Sequence, residues 1–196
     1  MTDQRSASIQ RKTSETDITL TLHLDGSGKA DIATGLGFLD HMIHALTKHA
    51  RLDLTLKCTG DLHIDDHHTV EDCAIALGRA FNDCLSDRVG IRRFGSAYAP
   101  LDESLSRVVI DLATRAHATV NLGLGRDAIG DVSAEMFDHF LTTLATEGRF
   151  TLHADVIRGT NDHHRVESCF KALALALREA VTPTGDTTAA STKGVL

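Results

Sequence analysis

The chain has 196 residues, enough for one domain or for two small halves around a shared core. Hydrophobic residues make up 42% of it, aromatics only 4% and Trp is absent, so a globular interior here must be largely aliphatic. A formal net charge of −7 argues against nucleic acid as a partner.

The opening segment MTDQRSASIQRKT has no apolar stretch of the signal-peptide kind, and no later run approaches a membrane span. A cytoplasmic protein is expected, or one of an organelle stroma if a targeting segment has been removed, with no membrane partner. Ile18, Leu20, Leu22 and Leu24 then alternate with polar residues in DITLTLHL, predicting a strand, and GSG turns the chain into a short second one. A helix is predicted over Phe38–His49, a strand at RLDLTLKC, and a long helix over about Thr69–Leu85, rich in Ala and Leu at helical spacing. DRVGIRRFG is a short connection. SRVVIDLATRAHATVNLGL supplies two strands around a break near Ala113–Arg115, followed by a helix over Ala134–Thr146, the strand RFTLHADVI and a helix over about Arg165–Val181. The polar tail VTPTGDTTAASTKGVL reads as loose from composition. Cys58, Cys73, Cys84 and Cys169 form no CxxC pair and are expected as reduced core residues.

The order repeats because the sequence repeats. FLDHM faces MFDHF, LDLTLKC faces FTLHADV, and DDHHTVED faces NDHHRVES. The expected fold is α+β, an internally duplicated unit in which a mixed sheet is covered by two helices. Two such halves, about 1–90 and 91–182, would pack four helices between two sheets within one domain, with residues 183–196 as a tail.

Each copy carries HHxxE. The glutamate shares a helical face with the histidines three and four residues before it. Adjacent histidines diverge by roughly 100° around a helix axis, so they rarely ligate one ion together. Each motif is therefore expected to serve two metals, and each metal to draw on both motifs. The zincin pattern HExxH is absent, so further ligands must come from elsewhere, and the repeat nominates His41 and His139 at matched places. With His67, His68, Glu71, His163, His164 and Glu167 they make six imidazoles and two carboxylates, three His and one Glu for each of two ions. Spacing does not decide which histidine of a pair serves which ion. Asp65, Asp66 and Asp162 read as helix caps. His23, His44, His63, His117 and His153 stand outside the constellation and read as structural, whereas His49, near a helix end, is placed to touch a ligand.

FLDHM, DDHHTVED, RFGSAYAPLDESLSRVVIDL, NDHHRVESCFKALALALREA and STKG, in this order over nearly the whole chain, resemble the imidazoleglycerol-phosphate dehydratase family of histidine biosynthesis. The resemblance implies a ribosomal protein S5 domain 2-like fold, a hollow shell of twenty-four subunits, and two Mn²⁺ per active site built at subunit contacts. It implies the same eight ligands: His41, His67, His68, Glu71, His139, His163, His164 and Glu167. Arg93, Arg115, Lys171 and Lys193 would grip the phosphate of a small-molecule substrate beside Ser191 and Thr192, with His41, His49, His67 and His163 also near the substrate. Glu71 and Glu167 would join Glu15, in KTSETDI, as carboxylates of the reaction centre, Glu15 being the acid/base candidate. The tail would order over the ligand. Two departures stand out: Ala113-Thr114 where relatives often have Ser-Gly, and His44 where an Asp is common. The phosphatase domain fused in some bacterial relatives is not expected within these 196 residues.

The implied reaction is dehydration of D-erythro-imidazole glycerol phosphate to imidazole-acetol phosphate, through a metal-bound imidazolate and a diazafulvene-type intermediate. Two rivals are a dinuclear phosphohydrolase, which would want more Asp and a bridging carboxylate, and a metal-storage shell, which would need neither the basic residues nor Glu15.

Overall fold

The computed structural model describes residues 5–194; residues 1–4 of the first predicted unit and 195–196 of the tail lie outside the described residues. The first half runs β1 (Ser6–Lys12), β2 (Thr16–His23), β3 (Ala30–Ala33), α1 (Gly37–Ala50), β4 (Asp53–Gly60) and α2 (His67–Leu85). The second runs β5 (Phe94–Leu101), β6 (Ser104–Asp111), β7 (His117–Asn121), a small hairpin of β8 (Ala128–Ile129) and β9 (Val132–Ser133), α3 (Glu135–Glu147), β10 (Thr151–Arg158) and α4 (Asp162–Ala180). The two four-stranded sheets share one topology, β1-β2-β4-β3 and β5-β6-β10-β7, and in each the short fourth strand pairs parallel while the others pair antiparallel. The expected duplicated α+β fold is therefore present, with mixed sheets.

Two strands, β1 and β5, are not among those that alternation predicts, and neither is the β8–β9 hairpin. In β1 the inward positions are Ala7, Ile9 and Arg11, only half-buried. In β5 the large residues Phe94 and Tyr98 point outward, while Gly95, Ala97 and Ala99 face α4. A Cβ on Gly95 would overlap the Ala176 carbonyl, so the inward row is small because α4 lies directly on it. The apolar signal of this strand is inverted.

Each long helix covers its own sheet, α2 on β1 and β2, α4 on β5 and β6. The shorter helices cross over: α1 packs on α4, and α3 on α2. The shared interior contains Leu39, Met42, Ile43 and Leu46 of α1 with Phe81, Phe137, Phe140 and Phe170, all essentially inaccessible. Gly78 lets the end of α3 approach α2, since a Cβ there would meet Glu147 and Gly148 at under 3 Å. Arg88 closes the connection between halves. Its guanidinium is buried and donates to the carbonyls of Gly148 and Arg149 and to Asn82, and desolvation pulls its pKa down to about 10. Cys73, Cys84 and Cys169 are buried and Cys58 half-buried, all as free thiols, in line with their composition-based reading. Among the described residues no helix is long and apolar enough to cross a membrane.

Candidate metal centre

Both HHxxE helices begin earlier than their apolar pattern indicates, at His67 rather than Thr69 and at Asp162 rather than Arg165. The histidine pairs thus occupy first helical turns. The ring centroids within each pair are 6.0 Å apart, with planes at 87° in one and 89° in the other. That divergence sends the two rings of a pair to different places.

The first histidine and the glutamate of each motif meet a helix histidine from the other half. His41 on α1 stands with His163 and Glu167 on α4: Nε2 of His41 is 3.3 Å and Nε2 of His163 3.1 Å from Glu167 Oε2. His139 on α3 stands with His67 and Glu71 on α2, its Nε2 2.9 Å from Glu71 Oε1, and the His67 and His139 rings are 5.1 Å apart. In each trio the potential ligand atoms all lie within 4.8 Å of one another. The crossed helix packing explains this composition. Within a single chain each cluster draws on both halves but on only one HHxxE motif.

The second histidines face elsewhere. His68 Nδ1 is 3.0 Å from Asp61 Oδ2, and its Nε2 is 3.6 Å from Glu15 Oε1. His164 Nδ1 is 2.7 Å from Glu103 Oε2. The hydrogen bond to Asp61 raises the pKa of His68, and that to Glu103 raises the pKa of His164. Burial works to raise the pKa of Glu167, but Lys171, 2.8 Å from Oε1, together with His41 and His163, holds it down to about 2. His49 is shifted down by its burial and by the Lys171 charge.

The remaining predicted residues fall in two cavities. Lys171 and His49 line one of about 460 Å³ together with His41, His44, Lys48 and Glu167. Arg93, Arg115, Ser191, Thr192 and Lys193 line another of about 600 Å³, which includes none of the cluster residues. One chain therefore does not bring Lys171 to the Arg93 group. Arg93 is fixed by a two-pronged ion pair to Asp111 (2.7 and 3.0 Å) and donates to the Ala190 carbonyl at 2.6 Å. The tail is accordingly anchored against the basic wall, with Thr184 N on the Gly90 carbonyl, rather than loose as its composition implies.

The caps also differ from expectation. Asp65 accepts from His67 N, and Asn161 caps α4 through His163 N. Asp66 and Asp162 instead reach across to Ser133 N and to Gly125 N and Arg126 N, pinning the loop that leads to α3. Sequence reasoning missed Asp61, Glu103 and Asp138. The last precedes His139, and its buried Oδ1 has no partner among the described residues. For Glu103 a signal existed, because it immediately precedes β6 as Glu15 immediately precedes β2.

A duplicated two-sheet α+β chain with paired imidazole–carboxylate clusters at the crossings of its halves defines a class of protein whose nitrogen and oxygen donors suit divalent transition metals. The family profile described as imidazoleglycerol-phosphate dehydratase matches residues 34–177. The chain belongs to that family, and is accordingly a hydro-lyase acting in histidine biosynthesis. It is 55% identical over 208 residues to the enzyme so named from Candida glabrata, covering 97% of this chain and 99% of that one. The corresponding protein of Saccharomyces cerevisiae is 50% identical over 220 residues, with full coverage of both. A relative from Phytophthora nicotianae, 56% identical over 192 residues, is longer, and the match takes in 98% of this chain but 42% of that protein. Among solved structures, the imidazoleglycerol-phosphate dehydratase of Staphylococcus aureus superposes with a TM-score of 0.83 at 34% identity, over 91% of this chain and 99% of that one. The Pyrococcus furiosus enzyme gives 0.82 at 34% identity, over 96% and 100%.

Proposed function

We propose that the chain converts D-erythro-imidazole glycerol phosphate to imidazole-acetol phosphate in the cytoplasm, using two Mn²⁺ per active site in a shell of twenty-four copies. The observation that carries this reading is the pair of His₂Glu clusters, two equivalent donor sets that suit the two nitrogens of one imidazole ring. His41, His163 and Glu167 would hold one ion, and His67, His139 and Glu71 the other. Bound there, the ions would supply Lewis acidity at both ring nitrogens and favour loss of the ring proton.

The chain's own residues do the rest. His68 and His164 belong to neither cluster of their own chain and bond instead to Asp61 and Glu103, which supports their completing the clusters of neighbouring copies, and hence an assembly. Arg93, held by Asp111, and Arg115, with Ser191, Thr192 and Lys193, present cations and donors for a phosphate. Lys171 and His49 border the His41 cluster and come to the same substrate from a neighbouring copy. The proton to be lost is not beside a carbonyl, so the electron-rich ring must first expel the hydroxyl, giving the diazafulvene-type intermediate. Loss of the neighbouring proton then yields an enol that becomes the ketone, and the net change is one water lost. Glu15, exposed and beside Nε2 of His68, carries that proton.

The test is incubation of the metal-loaded protein with imidazole glycerol phosphate. An enolisable ketone without free phosphate is the expected product. Release of inorganic phosphate instead would mean a phosphohydrolase.

A further inference from the structure

Glu103 sits at the tip of the β5–β6 hairpin, and each of its carboxylate oxygens has its own task. Oε1 accepts from Asn161 N at 2.8 Å and Thr160 N at 3.1 Å, the last backbone donors before α4. Oε2 accepts from Nδ1 of His164 at 2.7 Å. An ionised carboxylate is an acceptor only, so the imidazole must carry a proton on Nδ1, and in its neutral form the lone pair is on Nε2. The backbone bonds fix the carboxylate, the carboxylate fixes the ring plane and the tautomer, and His164 belongs to neither of the chain's own trios.

The first half holds the same parts in a different arrangement. Glu15 precedes β2 as Glu103 precedes β6, and His68 corresponds to His164. Yet Nδ1 of His68 is taken by Asp61, and Glu15 lies 3.6 Å from the opposite nitrogen, Nε2. Two repeat-related glutamates thus stand on opposite sides of two repeat-related rings.

We propose that Glu103 is a positioning residue that locks His164 into the Nδ1–H tautomer for metal ligation through Nε2, a duty Asp61 performs for His68, leaving the repeat partner Glu15 available for proton transfer. This rests on the reading of His164 as a metal ligand. Partners of this kind orient a ligating histidine and raise its basicity, and their loss typically costs ~10–100-fold in metal affinity.

The experiment is a Mn²⁺ titration of the full-length protein, followed by calorimetry and by the free-ion electron paramagnetic resonance signal, on the parent, Glu103→Gln, Glu103→Asp and His164→Ala. Glu103→Gln retains an oxygen for the Thr160 and Asn161 amides but sets an NH₂ donor against Nδ1, so Mn²⁺ binding should weaken ~10–100-fold. The metal-free protein should unfold in chelator at the parent temperature. Glu103→Asp, which keeps the charge, should recover part of the affinity. Parental affinity in Glu103→Gln alongside weakened binding in His164→Ala overturns the inference and leaves the proposed function standing. Parental affinity in His164→Ala overturns the ligand assignment beneath both. A loss in Glu103→Gln matched by a lower chelator unfolding temperature, and not restored by Glu103→Asp, overturns it in favour of a merely structural role.

Discussion

Thr114, between two residues that line the basic cavity, carries a φ of 62°, and Arg93, on the wall of that cavity, a φ of 68°. Both lie in the left-handed region, which costs an L-residue about 1–2 kcal/mol and suits a β-branched one least. At Arg93 the Asp111 ion pair offsets the strain. Among the described residues Thr114 has no such anchor. Thr114→Gly should therefore stabilise the protein by about 0.5–1 kcal/mol, once the extra backbone entropy of glycine is counted, read as a higher urea midpoint at unchanged slope. Glu15→Gln tests the other residue-scale assignment. It removes charge and proton-carrying capacity with almost no change of shape, so turnover should fall ~10²–10⁴-fold while metal content and substrate affinity hold. Turnover at the parent rate would transfer the proton to another carrier. At this scale the two clusters were legible, since the duplication alone picks out His41 and His139. Their grouping was not. It follows from α1 packing on α4 and α3 on α2, which no spacing along the chain encodes.

Among the elements, the helices announced themselves through Ala and Leu at helical spacing, whereas β5 was hidden because its inward residues are small and β1 because its inward row, Ala7, Ile9 and Arg11, is only half-buried and not uniformly apolar. The GSG turn into β3 shows how a legible signal acquires its physical cause. Asp53, at the head of β4, accepts from Ser27 N at 2.7 Å and Lys29 N at 2.9 Å, and Gly26 passes so close to the Asp53 backbone that a Cβ would overlap it. The backbone donors of Lys29 and then Ser27 hold the Asp53 pKa below its ordinary value. A carboxylate with a depressed folded-state pKa contributes stability that is complete above its unfolded pKa of about 3.9 and is lost as pH falls through the folded value. Asp53→Asn should thus cost about 0.5–1 kcal/mol at pH 7, solvent screening keeping the effect small. The variant's stability should also decline less steeply than the parent's below about pH 4. Equal slopes for the chelator-treated pair in that range would remove Asp53 from the acid limb.

For the whole molecule, the two outer sheet faces differ although the sheets share a topology. The outward row of the first is polar, with Thr19, Thr21, Thr55 and Lys57, while the second exposes Phe94, Tyr98, Val109 and Ile157. If copies associate as proposed, light scattering in Mn²⁺ should find a particle far above 21.1 kDa, and strong chelation should shrink it. Tyr98→Glu should shift the mass toward smaller species at fixed Mn²⁺, and Thr19→Glu should not. An active species at monomer mass would contradict the shared site.

The crossed helices have a further consequence for a severed chain. A first-half fragment would hold His41 without His163 and Glu167, and His67 and Glu71 without His139. Its complement would hold the reverse. Neither piece contains a full trio, yet their reunion restores both trios in one event, because the same two helix crossings that rebuild the interior rebuild the ligand sets. Metal uptake by a mixture of the fragments would act as a split reporter of their recombination, silent for each alone. The same geometry describes an ancestor of half the length: a unit docked on a twofold copy of itself would have carried both trios before the genes were ever joined.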